Sequence, residues 1–458
     1  MNGRELFRQT CYQLDGGADP NLREYFKATD VIRALGALDG PRVLAVGIKG
    51  IGKSAAFRYF DDFNRDADVV VALDPERYSL HLPNKDLGWA AYRDQFEYDL
   101  VLEALRAIKE QSDRLRTKVT KALLDKAAKH VSTYNVRLKA ASRRFGGVSI
   151  LGFGFTLNDP ELPVLIGLEG DTKLKQARDT LAQLCEAGVT VRIVVDDPEQ
   201  VFSASKELDT NLVGGFCLAA LRLSAQISNL KVVPLLTSHV YHPLVRRIDD
   251  LSKYPDHTGR LSWRQEELVD LVDRRLKWAK LKWTDIFESS ESQARKVVDA
   301  MLGEVRNGPR DLLRWLYHAL EGGGKISKHH IDRSRTKMAA DARRELEASY
   351  LSEYEDVTIL LRMVFGKNPR QSYTLAELRS HVANLQISDD GMQSLYKRLP
   401  WMQRETFRTL PRVFLRVGAL VLESGGSLIL PYEEGYDEER LETTETVRLV
   451  PAIAMGIG

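Results

Sequence analysis

The feature that most constrains the fold is the segment Gly47-Ile-Lys-Gly-Ile-Gly-Lys-Ser54, which lies between a short apolar run and a helix-like run. It matches the pattern G-x-x-x-x-G-K-[ST], and its flanks, Val43–Val46 and Ala55–Phe60, predict strand, tight loop and helix in that order. Glycines let successive backbone N–H groups surround a phosphate, and a lysine neutralises its oxygens. The segment therefore predicts a phosphate-binding loop, which we call the P-loop.

Three further apolar runs predict strands that are buried on both faces: Val69–Leu73, Val189–Val195 and Leu230–Leu236. Helical patterns separate these runs, so we expect an α/β fold built on a parallel sheet. The apolar fraction of 43% and the charged fraction of 28% are those of an ordinary globular protein. This composition excludes disorder as the main state of the chain.

The P-loop predicts a nucleoside triphosphate and Mg²⁺ as ligands. We expect Lys53 to neutralise the β- and γ-phosphate oxygens and the Ser54 hydroxyl to bind the metal. The other residues expected to line the phosphates are Gly47, Ile48, Lys49, Gly50, Ile51, Gly52 and Ala55.

An acidic group follows the third predicted strand, in Val195-Asp196-Asp197-Pro-Glu199. We expect Asp196 in the magnesium shell and Asp197 as the catalytic group that orients and deprotonates the attacking water, with Glu199 as a reserve base. The carboxylates have an alternative role as caps of the following helix, because Pro198 suits a first helical turn.

Polar residues end the fourth predicted strand, where a side chain can sense the γ-phosphate. Thr237 and Ser238 are the sensor candidates, whereas His239 is explained more simply as a hydrogen-bonded polar residue. Arg246 and Arg247 follow and are candidates for an arginine that projects into the site of a neighbouring subunit.

A further catalytic candidate is Arg310, at the start of a helix that Gly308-Pro309 introduces. Pro309 suits the first turn of that helix, and the guanidinium of Arg310 could turn toward the phosphates and couple the nucleotide to the helix. The alternative for Arg310 is an ion pair on the surface.

The pattern of elements predicts several domains. A Gly322-Gly-Gly324 run ends a helical segment, a capping box at Thr374 announces a late helix, and Ala419–Leu430 reads as a hairpin around Gly-Gly. We therefore predict an N-terminal lead (1–40), a P-loop ATPase core (41–258) with a helical basic insertion (97–165), a helical lid (259–324), a winged-helix-like domain (340–432) and an acidic, poorly ordered tail (433–458). Within the insertion we expect a long helix over 97–144 and a strand or hairpin over 147–157.

The charge that could attract a polyanion is local, because the net charge is only +2. Residues 111–146 hold ten Lys or Arg and two Asp, so the basic stripe 114–144 makes DNA one candidate partner. The third helix of the winged helix, 390–398, offers a second route to DNA. The wing tip, 424–427, carries no Lys or Arg, which equally favours a protein-binding or autoinhibitory module.

Three cysteines, far apart, argue for a reducing compartment: Cys11, Cys185 and Cys217. The chain begins without an apolar signal core and contains no apolar run of about 20 residues. We therefore expect a cytoplasmic protein that does not enter a membrane.

With the P-loop, the Asp196-Asp197 pair and Gly308-Pro-Arg310 in this order, the chain resembles the STAND and AAA+ branch of P-loop ATPases. More narrowly, residues 15–320 are similar to a bacterial family of P-loop ATPases found in stress and mobile-defence gene neighbourhoods. That likeness is carried by Asp19-Pro20, GIKGIGKSA, Tyr254–Trp263, Arg274 and Arg275. One element departs from this family, whose fourth strand commonly ends in Arg-x-Asp where this chain has Thr237-Ser-His239.

The resemblance implies ATP as the nucleotide, a helical lid and winged helix after the core, and a switch in which ATP binding closes the lid and hydrolysis resets it. It also implies a homo-oligomer on ATP binding or a separate effector protein. The residues alone leave three functions open: a regulatory ATPase, a DNA-stimulated ATPase of the initiator or transposition-regulator type, and a nucleotide-binding scaffold with negligible turnover. The sequence contains no nuclease, protease or cyclase motif, which favours a separate effector.

Overall fold

The computed structural model describes residues 2–12, 18–64, 66–74, 88–144, 162–199, 210–252, 255–306, 308–351, 353–404, 409–436 and 444–457. By residue contacts the chain forms two compact units. We call residues 30–46 and 56–260 the sheet unit, and residues 1–29, 47–55 and 261–458 the C-terminal unit.

The helices and strands follow one another along the chain with short connections. Up to residue 260 they are α1 (Gly3–Tyr12), α2 (Leu22–Tyr25), α3 (Asp30–Gly36), β1 (Leu44–Gly47), α4 (Lys53–Arg58), a π-helical turn (Tyr59–Phe63), β2 (Val69–Leu73), α5 (Trp89–Glu110), α6 (Ser112–Leu115), α7 (Lys121–Arg144), α8 (Leu162–Glu186), β3 (Val191–Asp196), α9 (Thr210–Gln226), β4 (Leu230–Thr237), α10 (Ser238–Arg247), α11 (Asp249–Ser252), a 3-10 turn (Pro255–His257) and β5 (Thr258–Arg260). Beyond it they are α12 (Gln265–Trp278), α13 (Trp283–Ile286), α14 (Glu291–Leu302), α15 (Pro309–Ala319), α16 (Lys328–Ser349), α17 (Val357–Phe365), β6 (Tyr373–Thr374), α18 (Leu375–Ser388), α19 (Asp390–Arg398), α20 (Pro400–Arg404), α21 (Leu410–Arg416), β7 (Leu420–Ser424), β8 (Ser427–Ile429), β9 (Thr446–Leu449) and α22 (Pro451–Ile457).

The sheet unit is built on the predicted parallel sheet. Its described strands lie in the order β2-β3-β4-β1-β5, and β2–β3, β3–β4 and β1–β5 pair in parallel. Every residue of β1, β3 and β4 is buried, as expected for strands that are covered on both faces. The predicted α/β fold with a parallel P-loop sheet is therefore confirmed.

The strand ends define the edge of the sheet that carries the candidate site. Asp196 ends β3 and Thr237 ends β4, and β1 continues directly into the P-loop. Because the strands are parallel, their carboxyl ends meet at one edge, where open α/β sheets place their ligands.

The segment predicted as an insertion is partly core. Instead of one helix over 97–144, the chain forms α5, α6 and α7 with turns between them. Phe96 of α5 packs edge-on against Phe216 of α9, with ring centroids 5.4 Å apart, and Leu100 and Leu105 are fully buried. The expectation of an appended helix is therefore wrong for α5, because its apolar residues cover the sheet unit's core. The strand or hairpin predicted at 147–157 lies outside the described residues.

The C-terminal unit contains the predicted capping box and hairpin. The Thr374 hydroxyl accepts a hydrogen bond from the Glu377 N–H at 3.1 Å, and the Glu377 carboxylate accepts one from the Thr374 N–H at 2.8 Å. β7 and β8 pair antiparallel around Gly425-Gly426, which both have positive φ. Helices followed by this hairpin are the arrangement expected of a winged-helix-like domain.

The residues after 443 are more ordered than the acidic composition predicts. β9 pairs with both β6 and β7 in the order β6-β9-β7-β8, and α22 follows it. Val447, Leu449 and Ile453 are buried. A poorly ordered tail is therefore the wrong description of residues 444–457, because their apolar side chains join the core. Within the described ranges, no helix is long and apolar enough to span a membrane.

Candidate nucleotide site

The P-loop has the backbone that its glycines predict. Gly50 and Gly52 have φ angles of 90° and 110°, in a region that residues with a Cβ rarely enter. The Ile51 N–H donates to the Ile48 carbonyl at 3.3 Å, which closes a tight turn, and α4 begins at Lys53. This strand–loop–helix geometry matches that of a phosphate-binding loop.

Trp263 holds the P-loop from within the C-terminal unit. Its indole N–H donates to the Ile51 carbonyl at 2.8 Å, and its own backbone N–H donates to the Tyr432 carbonyl at 2.8 Å. Ile48, Ile51 and Trp263 are all buried. Sequence reasoning placed Trp263 in the stretch that carries the family resemblance, but no local pattern linked it to the loop.

A second contact joins the P-loop to the end of α16. The Lys49 ammonium donates to the Ser349 carbonyl and lies 5.2 Å from the centroid of the Tyr350 ring. Lys49 was predicted only as a phosphate-lining residue, so this contact is new information from the structure.

Lys53 and Ser54 open α4. Lys53 is only 7% exposed, whereas Ser54 is partly buried. The hydroxyl of Ser54 and the carboxylate of Asp196 are hard oxygen donors, which is the ligand type that Mg²⁺ prefers. The residues present therefore fit the predicted metal.

The acidic end of β3 carries an unusual backbone. Asp196, at 8% exposure, closes a strand that is buried throughout, and Asp197 follows with a φ of 39°. A non-glycine residue with positive φ is uncommon, although aspartate tolerates it better than most, and such residues concentrate at functional sites. The chain thus leaves the sheet sharply at the residue predicted to handle the attacking water.

Glu199 and Thr237 form the direct contact within this acidic group. The Glu199 carboxylate, in a residue that is 6% exposed, accepts hydrogen bonds from the Thr237 backbone N–H at 3.0 Å and from the Thr237 hydroxyl. The predicted reserve base and the predicted sensor are therefore linked. Ser238 begins α10 and is partly buried, and His239 is buried.

Arg310 lies at the start of α15 in an ion-pair cluster. Its guanidinium donates to Glu345 of α16 at 2.7 Å, and Arg314 donates to the same carboxylate. Burial alone would raise the pKa of Glu345, but Arg306, Arg310 and Arg314 together lower it to about 2. In this structure Arg310 thus has the ion pair that was its alternative role. The side chains of Arg246 and Arg247 lie outside the described part of the chain.

Comparisons with known proteins locate similar overall structures but no family. No protein-family model matches the chain, and no curated protein matches it either. The Walker-type ATPase paby2304 of Pyrococcus abyssi is 15% identical, with 94% of this chain and 95% of that chain covered and a TM-score of 0.44. The ORC2 protein of Aeropyrum pernix, in ADPNP and ADP complexes, is 12% identical, with 96% of each chain covered and a TM-score of 0.45. At TM-scores below 0.5 neither likeness establishes a function. By its own sheet and motif, the chain has the fold of a P-loop ATPase.

Proposed function

We propose that the chain is a magnesium-dependent ATPase that works as a regulatory switch of the STAND or AAA+ type. The observation that carries the proposal is the P-loop, whose positive-φ glycines and buried Lys53 follow a strand of a parallel sheet. Adenine rather than guanine follows from the sequence resemblance.

Each predicted residue has one task in the proposed reaction. The P-loop amides and Lys53 bind the β- and γ-phosphates and orient them. Ser54 and Asp196 would hold Mg²⁺, which supplies charge neutralisation on the phosphate oxygens when bound. Asp197 orients the attacking water and accepts its proton, and Glu199, fixed by Thr237, is the second carboxylate at that position.

The proposed output is a change of assembly rather than a chemical product. The P-loop is anchored by Trp263 and by the end of α16, so nucleotide binding acts on residues of the C-terminal unit. This anchoring supports a switch that forms a homo-oligomer or engages a separate effector. A role in bacterial stress response or anti-phage defence, in the cytoplasm, is proposed from the sequence resemblance.

Steady-state ATP turnover tests this function. The purified chain should hydrolyse ATP with Mg²⁺ and lose turnover in EDTA. Lys53→Ala and Asp197→Asn should each lower turnover by about a hundredfold or more, because each removes a group that acts on the transferring phosphoryl or on its nucleophile. Equal turnover in the wild type and both variants would reject the assignment.

A DNA-stimulated ATPase is the second candidate, supported by the exposed charges of Arg114, Lys121 and Lys126. Part of the basic stripe is already neutralised, since Lys118 pairs with Asp68 at 2.7 Å. In addition, α21, the helix directly before the hairpin, buries every residue except the partly buried Arg412. These contacts favour the regulatory ATPase over DNA reading.

Duplex DNA added to the turnover assay distinguishes the two candidates. A DNA-stimulated enzyme should respond strongly, with affinity that falls steeply with salt, and should lose the response when Arg114 and Lys121 are changed to Glu. The regulatory ATPase should be indifferent to DNA. Lys328→Glu, which changes an exposed lysine of α16, is the matched control.

A further inference from the structure

The last turn of α16 contacts two elements that the proposed function assigns to ATP. At its end, Ser349 accepts a hydrogen bond from Lys49 of the P-loop, and the Tyr350 ring faces the same ammonium. One turn earlier, Glu345 accepts hydrogen bonds from Arg310 and Arg314. The phosphate-binding loop and the predicted catalytic arginine thus contact the same turn of helix.

The Lys49 contact has a clear electrostatic basis. The last four carbonyls of a helix have no intrahelical partner and carry partial negative charge, so a nearby ammonium is attracted to them. The face of an aromatic ring attracts a cation in addition. Tyr350 is only 2% exposed, so its ring is held firmly by the surrounding core. Lys49 is therefore bound by a rigid support about 300 residues away in sequence.

The Glu345 contact makes the same turn sensitive to charge. Arg306, which is 1% exposed, lies 3.9 Å from Glu345, and its guanidinium makes no hydrogen bond with the described residues. Three arginines thus share one buried carboxylate. This cluster fixes the last turn of α16 against α15, and through Lys49 it fixes the P-loop.

We infer that Lys49 is a positioning residue, which acts through the end of α16 to hold the P-loop in its phosphate-binding conformation. The inference rests on the proposed function and adds to it the residue through which the C-terminal unit sets ATP affinity. A loop that is held in its binding conformation loses less conformational freedom when ATP binds, so the anchor strengthens ATP binding. Lys53 contacts the phosphates, whereas Lys49 acts through Ser349 and Tyr350.

Binding titrations and steady-state kinetics of Lys49→Met test the inference. The Kd and KM for ATP should rise about tenfold, while kcat stays within about twofold, because the lost interactions support binding and not the chemical step. Lys49→Arg keeps a cation for the helix end and the ring, and should restore most of the affinity. Lys328→Met, at the other end of α16, is the matched control and should change neither constant.

A double-mutant cycle with Tyr350→Leu shows whether Lys49 acts through α16. Tyr350→Leu should weaken ATP binding, Tyr350→Phe should not, and the double variant Lys49→Met with Tyr350→Leu should be no weaker than the worse single variant. Additive losses, or a lowered kcat in Lys49→Met, would mean that Lys49 touches the phosphates directly and would overturn the inference. Thermal unfolding of each variant verifies that it is folded.

The outcome is separable from failure of the proposed function. A wild-type chain that binds no ATP would reject the ATPase itself. A wild-type chain that binds ATP, with Lys53→Ala defective and Lys49→Met unchanged, would reject only the anchoring role of Lys49.

Discussion

The P-loop and the acidic end of β3 are supported by different parts of the chain. Trp263, Ser349 and Tyr350 of the C-terminal unit hold the P-loop. The acidic end of β3 is held by its own sheet and by the hydrogen bonds between Glu199 and Thr237. The difference teaches that binding and hydrolysis are separable, so changes in the C-terminal unit should alter ATP affinity and changes at the strand ends should alter turnover.

The largest expected effect concerns the buried charge of the C-terminal unit. Glu345→Gln should lower the free energy of unfolding by about 3 to 5 kcal/mol at pH 7, because it leaves buried arginines without their counter-charge. Since its folded pKa of about 2 lies below the ordinary value, the contribution is present above pH 4.5 and is lost as the pH falls toward 2. Chemical denaturation across this range measures it, with the exposed Glu266→Gln as control. A pH-independent difference below 1 kcal/mol would contradict the charge account.

The sheet unit provides the opposite case in Asp99 of α5. Burial raises its pKa to about 7, so the folded chain binds a proton that the unfolded chain has lost between pH 3.8 and 7, and stability falls as the pH rises through that window. Asp99→Asn should therefore stabilise the protein by roughly 2 to 4 kcal/mol at pH 8 and by little at pH 4. Urea denaturation at the two pH values measures this. Equal effects at both would show that Asp99 is not protonated in the folded state.

At the strand ends, Thr237→Val should lower kcat about tenfold and leave the Kd for ATP unchanged, because Glu199 loses the hydroxyl that fixes it. Thr237→Ser keeps that hydroxyl and should retain most of the turnover. A parallel loss of ATP affinity in Thr237→Val would break the separation between the two regions.

The smallest expected effect is that of Trp263→Phe. Loss of the hydrogen bond to Ile51 should weaken ATP binding about fivefold at constant kcat. Trp401→Phe removes a comparable indole hydrogen bond, to the Glu355 carbonyl at 2.9 Å, and should leave ATP binding unchanged. Equal ATP affinities in wild type and Trp263→Phe would remove this support of the P-loop.

The parts of this molecule that could be predicted are the local ones. The P-loop, the strands around Asp196 and Thr237, and the hairpin at Gly425-Gly426 each have their signal within a few consecutive residues. The Trp263 contact spans 212 residues and the Lys49 contact 300, and no local pattern encodes either. The ordered end of the chain was missed because acidic composition outweighed a few apolar residues such as Val447 and Ile453, which only the tertiary fold buries.

The central claim is that the P-loop binds ATP and the acidic end of β3 hydrolyses it. The most direct test measures ATP binding and turnover on the same preparations of wild type, Lys53→Ala and Asp197→Asn. The account predicts that Lys53→Ala loses binding, whereas Asp197→Asn binds ATP with Mg²⁺ as the wild type does and fails to turn it over. If Asp197→Asn loses binding to the same extent as Lys53→Ala, or keeps full turnover, this division of roles is wrong.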